Sequence, residues 1–346
     1  MRENNFDLLR FLFAFQVFLY HAYALSGAKA LSALNIPFAA DIAVKSFFVV
    51  SGFLIFMSYE NSRGIQVYFI KRARRIYPAY FFIVLLCTIL GGFFSTYVLR
   101  DYLSLPLLKY VAANLVFLNF LQPNLPGLFE GNPLQAVNGA LWTLKIEVMF
   151  YIFVPLAVMA FRKFGHVLML VTFYVCSVSY SILMQSMAHK TGVGSYLELQ
   201  RQFPGQIAFF IAGATGYYYL QHLTKYAVWV VALAVTAFAL QSWLPWSAIQ
   251  PLALAVLIVS VACIVPSFGN FAKYGDVSYG IYIVHFPILQ FLISYGLFEK
   301  SPRIMLFVSA TMVLTVALLL WHFIEKPFLR KSSHYVAASH GGSSVA

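Results

Sequence analysis

The sequence has little charge of either sign and very little acid. Charged residues make up 10% of the 346, and Asp and Glu number 11 against 23 Lys and Arg. With 61% hydrophobic residues and a mean hydropathy of +0.79, a soluble fold is excluded, because it would lack the polar surface needed to stay dispersed. Cysteine is scarce too. Cys87, Cys176 and Cys263 each fall within an apolar run, without paired spacing or a neighbouring His in a metal pattern. Neither a disulfide nor a metal site is expected, and the thiols read as buried and free. No nucleotide-hydrolysis motif and no clear internal repeat is found, and no soluble domain is expected at either end. The net charge of +12 raises nucleic acid as a partner. The basic residues stand between apolar runs, however, where membrane topology accounts for them better, so no nucleic-acid partner is expected.

What the sequence does have is a series of apolar runs, each about as long as the roughly 20 helical residues that cross a hydrocarbon core ~30 Å thick. Ten are placed, at about 7–25, 41–59, 77–95, 141–161, 166–186, 204–221, 226–243, 248–266, 278–298 and 304–324. An eleventh, 106–121, is short and ends in QPNLPG, and reads as interfacial or re-entrant. The first run begins like a signal peptide, but Asp7, Arg10, Gln16 and His21 interrupt it, so it is read as a retained helix. An even number of spans puts both termini on one side. With a cytoplasmic N-terminus, thirteen Lys and Arg lie inside, among them Arg2, Lys273, Arg330 and Lys331, and seven lie outside. That bias favours both termini cytoplasmic. The expectation is an all-α polytopic membrane protein with about ten transmembrane helices. Residues 1–330 form its single membrane domain, and 331–346 a short, polar, disordered cytoplasmic tail.

The first span carries Arg10 at one end and His21 near the other. Eleven residues at roughly 100° each return nearly to the starting direction, so both side chains share one face, on the order of 16 Å apart. Ionisable groups inside a span face a protein interior or a water-filled path and are functional by default. The first span runs outward and the fourth inward, so His21 and Glu147 fall at matching depths below the outer surface. A carboxylate on one ring nitrogen fixes the tautomer and makes the other a better base. The bland reading, a polar pair that only fixes helix packing, is about evenly weighted for one such residue; two at one level, with Arg10 below, favour function. Lys145 points elsewhere and snorkels outward beside Trp142.

Other groups are weighed the same way. In IKRARRIYPAY, Arg72 and Arg75 lie one turn apart, flanked by Lys71 and Arg74. Two guanidinium forks suit a phosphate or pyrophosphate, although charge density alone leaves a topogenic cluster ahead. Ser51-Gly52 in FFVVSGFLIF reads first as a close helix contact, and Ser51 as a nucleophile has nothing near it in sequence to activate it. His285 lies within SYGIYIVHFP, ahead of a Pro287 kink, and reads slightly more as a satisfied interhelical donor than as catalytic. Asp276 and Ser278 read as a helix cap, and Glu325 with Lys326 as a structural ion pair.

Taken together, these motifs resemble the acyltransferase-3 family of membrane proteins. The matches are Arg10 and His21 with ten residues between, the SGFLI of the second span, Arg72-x-x-Arg75 before IYPAY, LWTLKIEVMFY, SYGIYIVHFP and the terminal EKPF. They run from the first span to the last, and their order and spacing are more specific than any one of them. The resemblance implies a ten-helix enzyme of the bacterial inner membrane that moves an acyl group, commonly acetyl from acetyl-CoA, onto a hydroxyl of a sugar or another acceptor. It assigns essential roles to Arg10 and His21 and the acyl-CoA to Arg72 and Arg75, with an acidic residue where Glu147 stands. Many relatives carry an extra hydrolase-like domain that is not found here, which leaves the acceptor open.

On this reading His21 is the general base or a transient acyl carrier, oriented by Glu147, with Arg10 on the same stripe. Lys71, Arg72, Arg74, Arg75 and Ser51 serve the donor, the partners are a glycan or lipid-linked sugar and the lipid bilayer, and no metal is expected. The oligomeric state is left open. Two rivals are weighed. A proton-coupled transporter of a sugar or small anion would use Arg10, His21, Glu147 and His285 as a relay, but lacks a repeat and a broken-helix pair. A lipid-linked glycosyltransferase would need more acid than Asp101 and Glu130 in the 96–140 loop.

Overall fold

The computed structural model describes residues 4–35, 39–269, 271 and 275–329. Arg2, Lys273, Arg330, Lys331 and the 331–346 tail, all used in the topology argument, lie outside them. Among the described residues the regular structure is entirely helical. The main helices are α1 (Phe6–Ser26), α2 (Ala39–Glu60), α3 (Ile65–Phe94), α4 (Leu105–Leu115), α5 (Trp142–Phe164), α6 (His166–Thr191), α7 (Phe203–Tyr218), α8 (Ala227–Ala239), α9 (Trp246–Cys263), α10 (Ser278–Ser294) and α11 (Pro302–Leu320). After α11 come one π-type turn, Trp321–Glu325, and a short helical segment, Lys326–Phe328.

A helix stands at each of the ten expected positions. Seven, namely α1, α2, α3, α5, α6, α9 and α11 with its continuation, are long and apolar enough to cross a membrane, so this is a multi-pass membrane protein. The other three are shorter, with 16, 13 and 17 residues in α7, α8 and α10. Hydropathy overran them because apolar residues continue into the turns that end them. Beyond α8, for example, Leu240 and Trp243 lie outside the helix and Pro245 precedes the next one. The 106–121 run yields the short α4, with a proline in its first turn as at many helix starts, and a single 3-10 turn at Asn119–Leu121.

The chain divides into two compact units. The first comprises 1–9, 44–69 and 146–269. In it α7 packs on both α6 and α9, and α2 crosses α7 at two glycines. A Cβ on Gly52 would stand 1.9 Å from the Phe210 carbonyl oxygen, and one on Gly213 2.0 Å from that of Val49. Small residues permit this backbone approach where lipid offers no hydrophobic drive for helices to associate. The Ser51-Gly52 step is therefore a packing feature through Gly52, and Ser51 itself is half-buried. Phe150 and Phe210 stack beside this crossing, with centroids 4.0 Å apart. Lys45, an intramembrane cation, donates to the Gln250 amide oxygen at 3.1 Å.

The second unit comprises 10–43, 70–145 and 270–346. Here α10 and α11 pack closely, with Gly280 against Ala317. Pro287 lies inside α10, which continues past it to Ser294. The long connection between α3 and α5 is pinned to α10 by Asn138, whose amide donates to the Ile283 carbonyl at 2.8 Å.

The glycine crossing is testable. Gly52→Leu should destabilise the purified protein by about 1–3 kcal/mol or more, because the side chain has no space without parting the helices. Gly64→Ala, whose Cβ would meet nothing within 4 Å, should leave the midpoint of thermal unfolding in detergent close to wild type. Equal midpoints for Gly52→Leu and wild type would remove the crossing from the account.

Candidate functional site

At one end of the second unit four charged side chains meet. Arg10 Nη1 lies 2.7 Å from Asp276 Oδ2, the same oxygen accepts from Arg75 Nη2, and Arg75 Nη1 is 2.9 Å from Glu325 Oε2. Both carboxylates are buried and both guanidiniums nearly so. With all four ionised, two cations and two anions sum to no net charge, the arrangement in which burial of ions is least expensive.

Local sequence builds this cluster. Gly275 adopts φ +113°, and a Cβ there would lie 2.1 Å from Trp321 Nε1, so only glycine brings Asp276 in under the indole. The other Asp276 oxygen accepts from the Ser278 backbone N–H at 3.2 Å and its hydroxyl at 2.5 Å. Glu325 ends the π-type turn, in which the Lys326 N–H reaches back to the Trp321 carbonyl. Pro327 follows and has no N–H to continue an ordinary α ladder. Burial alone would raise the Asp276 pKa, but Arg10, Arg75 and the Ser278 bonds outweigh it and hold the carboxyl well below the usual carboxylate range.

Further along, between α1 and α10, His21 Nδ1 lies 2.9 Å from His285 Nε2. The rings are near-parallel at 16°, with centroids 5.1 Å apart, and Phe286 stands edge-on to His21. His285 is fully buried, and its Nδ1 lies 3.1 Å from the Ile281 carbonyl oxygen. A carbonyl only accepts, so His285 carries its proton on Nδ1 and presents Nε2 as a lone pair. His21 then donates from Nδ1, and in the neutral ring its Nε2 is the basic nitrogen. The tautomer of the partly exposed imidazole is thus set by a carbonyl one ring away.

The remaining expected site residues fall as follows. Arg75 is engaged with two carboxylates, so a phosphate would have to compete with them. Lys71 and Arg72 are half-buried on α3 and Arg74 is exposed. Glu147 and Ser51 belong to the first unit, where Glu147 Oε1 accepts the Tyr151 hydroxyl at 2.7 Å. Lys145 sits 4.6 Å from the centroid of Phe120.

Glu325 is held by Arg75, and not by Lys326 as its neighbour in sequence suggested. A buried guanidinium with two donors to satisfy outcompetes an adjacent ammonium that can turn to solvent. Asp276 was read only as a cap. The signal for more was its place between a glycine and a capping serine at the start of the helix that bears His285. Among the described residues no group of three or more His, Cys, Asp or Glu is arranged to hold a metal.

The ionic cluster and the imidazole pair thus lie within one helical unit of a multi-pass membrane protein. The chain belongs to the acyltransferase-3 family: the family profile described as "Acyltransferase domain" matches residues 3–322. It is therefore a membrane acyltransferase. The chain is 29% identical over 336 residues to an "O-acetyl transferase" of Shigella phage Sf6, covering 96% of this chain and 98% of that one. It is 26% identical to "Nodulation protein 10" of Rhizobium leguminosarum bv. viciae, covering 97% and 95%. It is 24% identical to "O-acetyltransferase OatA" of Staphylococcus aureus over 84% of this chain, which spans 53% of that protein. No solved structure matches.

The charge cluster generates a prediction with a defined sign. Because the folded-state pKa of Asp276 is depressed, its contribution is present above the unfolded value of about 3.9 and is lost as pH falls below that. Asp276→Asn should therefore lower stability at pH 7 by roughly 3–5 kcal/mol, as expected for breaking a buried ionic network. It should also flatten the acid limb of the unfolding midpoint between pH 5 and 3. An unchanged midpoint at pH 7 would contradict the cluster.

Proposed function

We propose that this chain is an O-acetyltransferase that takes acetyl from acetyl-CoA on the cytoplasmic side of a bacterial inner membrane. It delivers the group to a hydroxyl of a cell-surface or lipid-linked sugar on the other side. The observation that carries this reading is the His21–His285 pair, which leaves His21 Nε2 as the basic nitrogen. The named O-acetyltransferase relatives support the reaction class. In this reading residues 1–330 act as one acyltransferase domain with ten spans and both termini cytoplasmic. The helix found at each of the ten expected positions supports that count. The meeting of Arg10, Arg75, Asp276 and Glu325 supports placing those four ends on one side.

The chemistry follows from the residues. His21 Nε2 removes the proton of the acceptor hydroxyl as its oxygen attacks the thioester carbonyl. The tetrahedral adduct collapses, the C–S bond breaks, and the leaving thiolate regains the proton from His21. A transient acyl-His21 is the variant in which Nε2 attacks first. His285, within 2.9 Å, takes the orienting role in place of Glu147, whose carboxylate holds Tyr151. Lys71, Arg72 and Arg74 meet the phosphates of the donor. Arg75 holds Asp276 and Glu325 and would reach a phosphate only by exchanging a carboxylate. Arg10 fixes the depth of α1 through Asp276. Ser51 is assigned no chemistry.

Sealed vesicles with acetyl-CoA only in the lumen facing the cytoplasmic side, and sugar only on the opposite side, test the reading. Transfer across the bilayer is expected, and transfer that occurs only when both share a side would overturn it. His21→Ala should lower transfer by about 10²–10⁴-fold. His285→Ala should lower kcat while leaving the KM for acetyl-CoA near wild type. Wild-type rates for His21→Ala would remove the base.

A further inference from the structure

A cavity of about 500 Å³ opens at the far end of the helices that carry the histidine pair, within the size range of small-ligand sites. Its wall includes Ser26 at the end of α1, Phe94 and Thr96 at the end of α3, the 127–133 loop, and the stretch from Phe291 to Glu299. Ser26 lies five residues beyond His21 and Phe291 six beyond His285, roughly 8–9 Å at 1.5 Å per residue. Two of its walls therefore lead down along α1 and α10 to the imidazoles.

The loop that forms this cavity is held in place before any ligand arrives. Asn132 donates its amide to both the backbone carbonyl and the side-chain oxygen of Gln290, each at 2.9 Å. Gln290, fully buried, donates in turn to the Ala136 carbonyl at 2.7 Å. From the other side the Thr96 N–H reaches the Gly127 carbonyl at 2.9 Å, and the Ser95 hydroxyl reaches that of Pro126 at 2.8 Å. Between these ties Phe129 adopts φ +60°, a conformation that disfavours a bulky residue by roughly 1–2 kcal/mol. The strain persists because both ends of the loop are anchored, and Phe129 is one of the lining residues.

The lining has a consistent chemistry. Phe94, Phe129 and Phe291 offer aromatic surface, Asn132 and Ser26 offer polar groups, and Glu130 and Glu299 are charged; among the described residues no Lys, Arg or His lines it. The Tyr97 hydroxyl is hydrogen-bonded to Glu130, which raises its pKa. Carboxylates accept strong hydrogen bonds from hydroxyl and ammonium donors, aromatic rings cover the apolar faces of sugar rings, and an anion would meet two like charges. We propose that this cavity is the acceptor site, and that it takes a neutral or amine-bearing sugar in preference to an acidic one. The inference rests on the transferase reading given above and adds to it the substrate class.

The test uses the full-length protein in lipid nanodiscs and three trisaccharide probes: maltotriose (neutral), glucosamine trimer (amine-bearing) and trigalacturonate (acidic). Equilibrium binding of each is measured beside binding of acetyl-CoA. The wild type should bind the first two at least about tenfold more tightly than the third. A Cβ on Gly131 meets nothing within 4 Å, so Gly131→Trp should place its indole in the cavity without disturbing the backbone. It should weaken the neutral and amine-bearing probes by at least about tenfold, with acetyl-CoA binding retained as the check on folding. The double variant Glu130→Gln, Glu299→Gln should narrow the discrimination against trigalacturonate. The proposal is overturned if no probe binds at millimolar concentration, if the acidic probe binds as well as the neutral one, or if Gly131→Trp binds like wild type. Failure of the wild type to bind or consume acetyl-CoA, with sugar binding intact, would count against the transferase reading alone.

Discussion

Two contacts, Arg10 with Asp276 and His21 with His285, fix α1 against the chain segment that begins at Asp276 and continues into α10. They are separated by eleven residues on one side and nine on the other, so the two segments run parallel and their register is set at both ends. A one-residue slip of α1 would turn every side chain by roughly 100° and carry His21 off its partner. The ionic contact opposes this because its carboxylate is buried and its guanidinium nearly so. An unpaired buried ion is far more expensive than the hydrogen bonds it would leave behind. The position of the imidazole against α10 thus depends on the charge cluster as well as on its own hydrogen bond.

Electrical neutrality is the second constraint. Arg75 completes the cluster by adding one cation for Glu325, and the histidine pair needs no counter-ion because a backbone carbonyl orders its protons. Lys71, Arg72 and Arg74 lie on α3 beside Arg75. The acidic residues Glu130 and Glu299 line the cavity at the other end. A polyanionic donor and a hydroxyl-rich acceptor would be sorted to opposite ends by charge before any chemistry begins.

Much of this was legible in the chain. Hydropathy located every main helix, and the 3.6-residue period alone put Arg10 and His21 on one stripe. What it could not supply were partners distant in sequence. Asp276 lies 266 positions from Arg10, and its bonds to Ser278 made it look like a helix cap, which it also is. Glu325 stands next to Lys326, but the π-type turn directs it at Arg75. His285 was read as a satisfied donor, whereas its donating nitrogen serves only to make the other an acceptor for His21. Helix ends were misjudged where apolar residues run on into turns, because hydropathy reports burial and not backbone geometry.

The most direct measurement is the ¹⁵N spectrum of histidine-labelled protein in nanodiscs near pH 7, with His21 and His285 assigned by single substitutions. The account predicts that both rings are neutral and carry their protons on Nδ1, and that the His21 signals change in His285→Gln. A doubly protonated His285, or a His21 protonated on Nε2 in the resting protein, would contradict it.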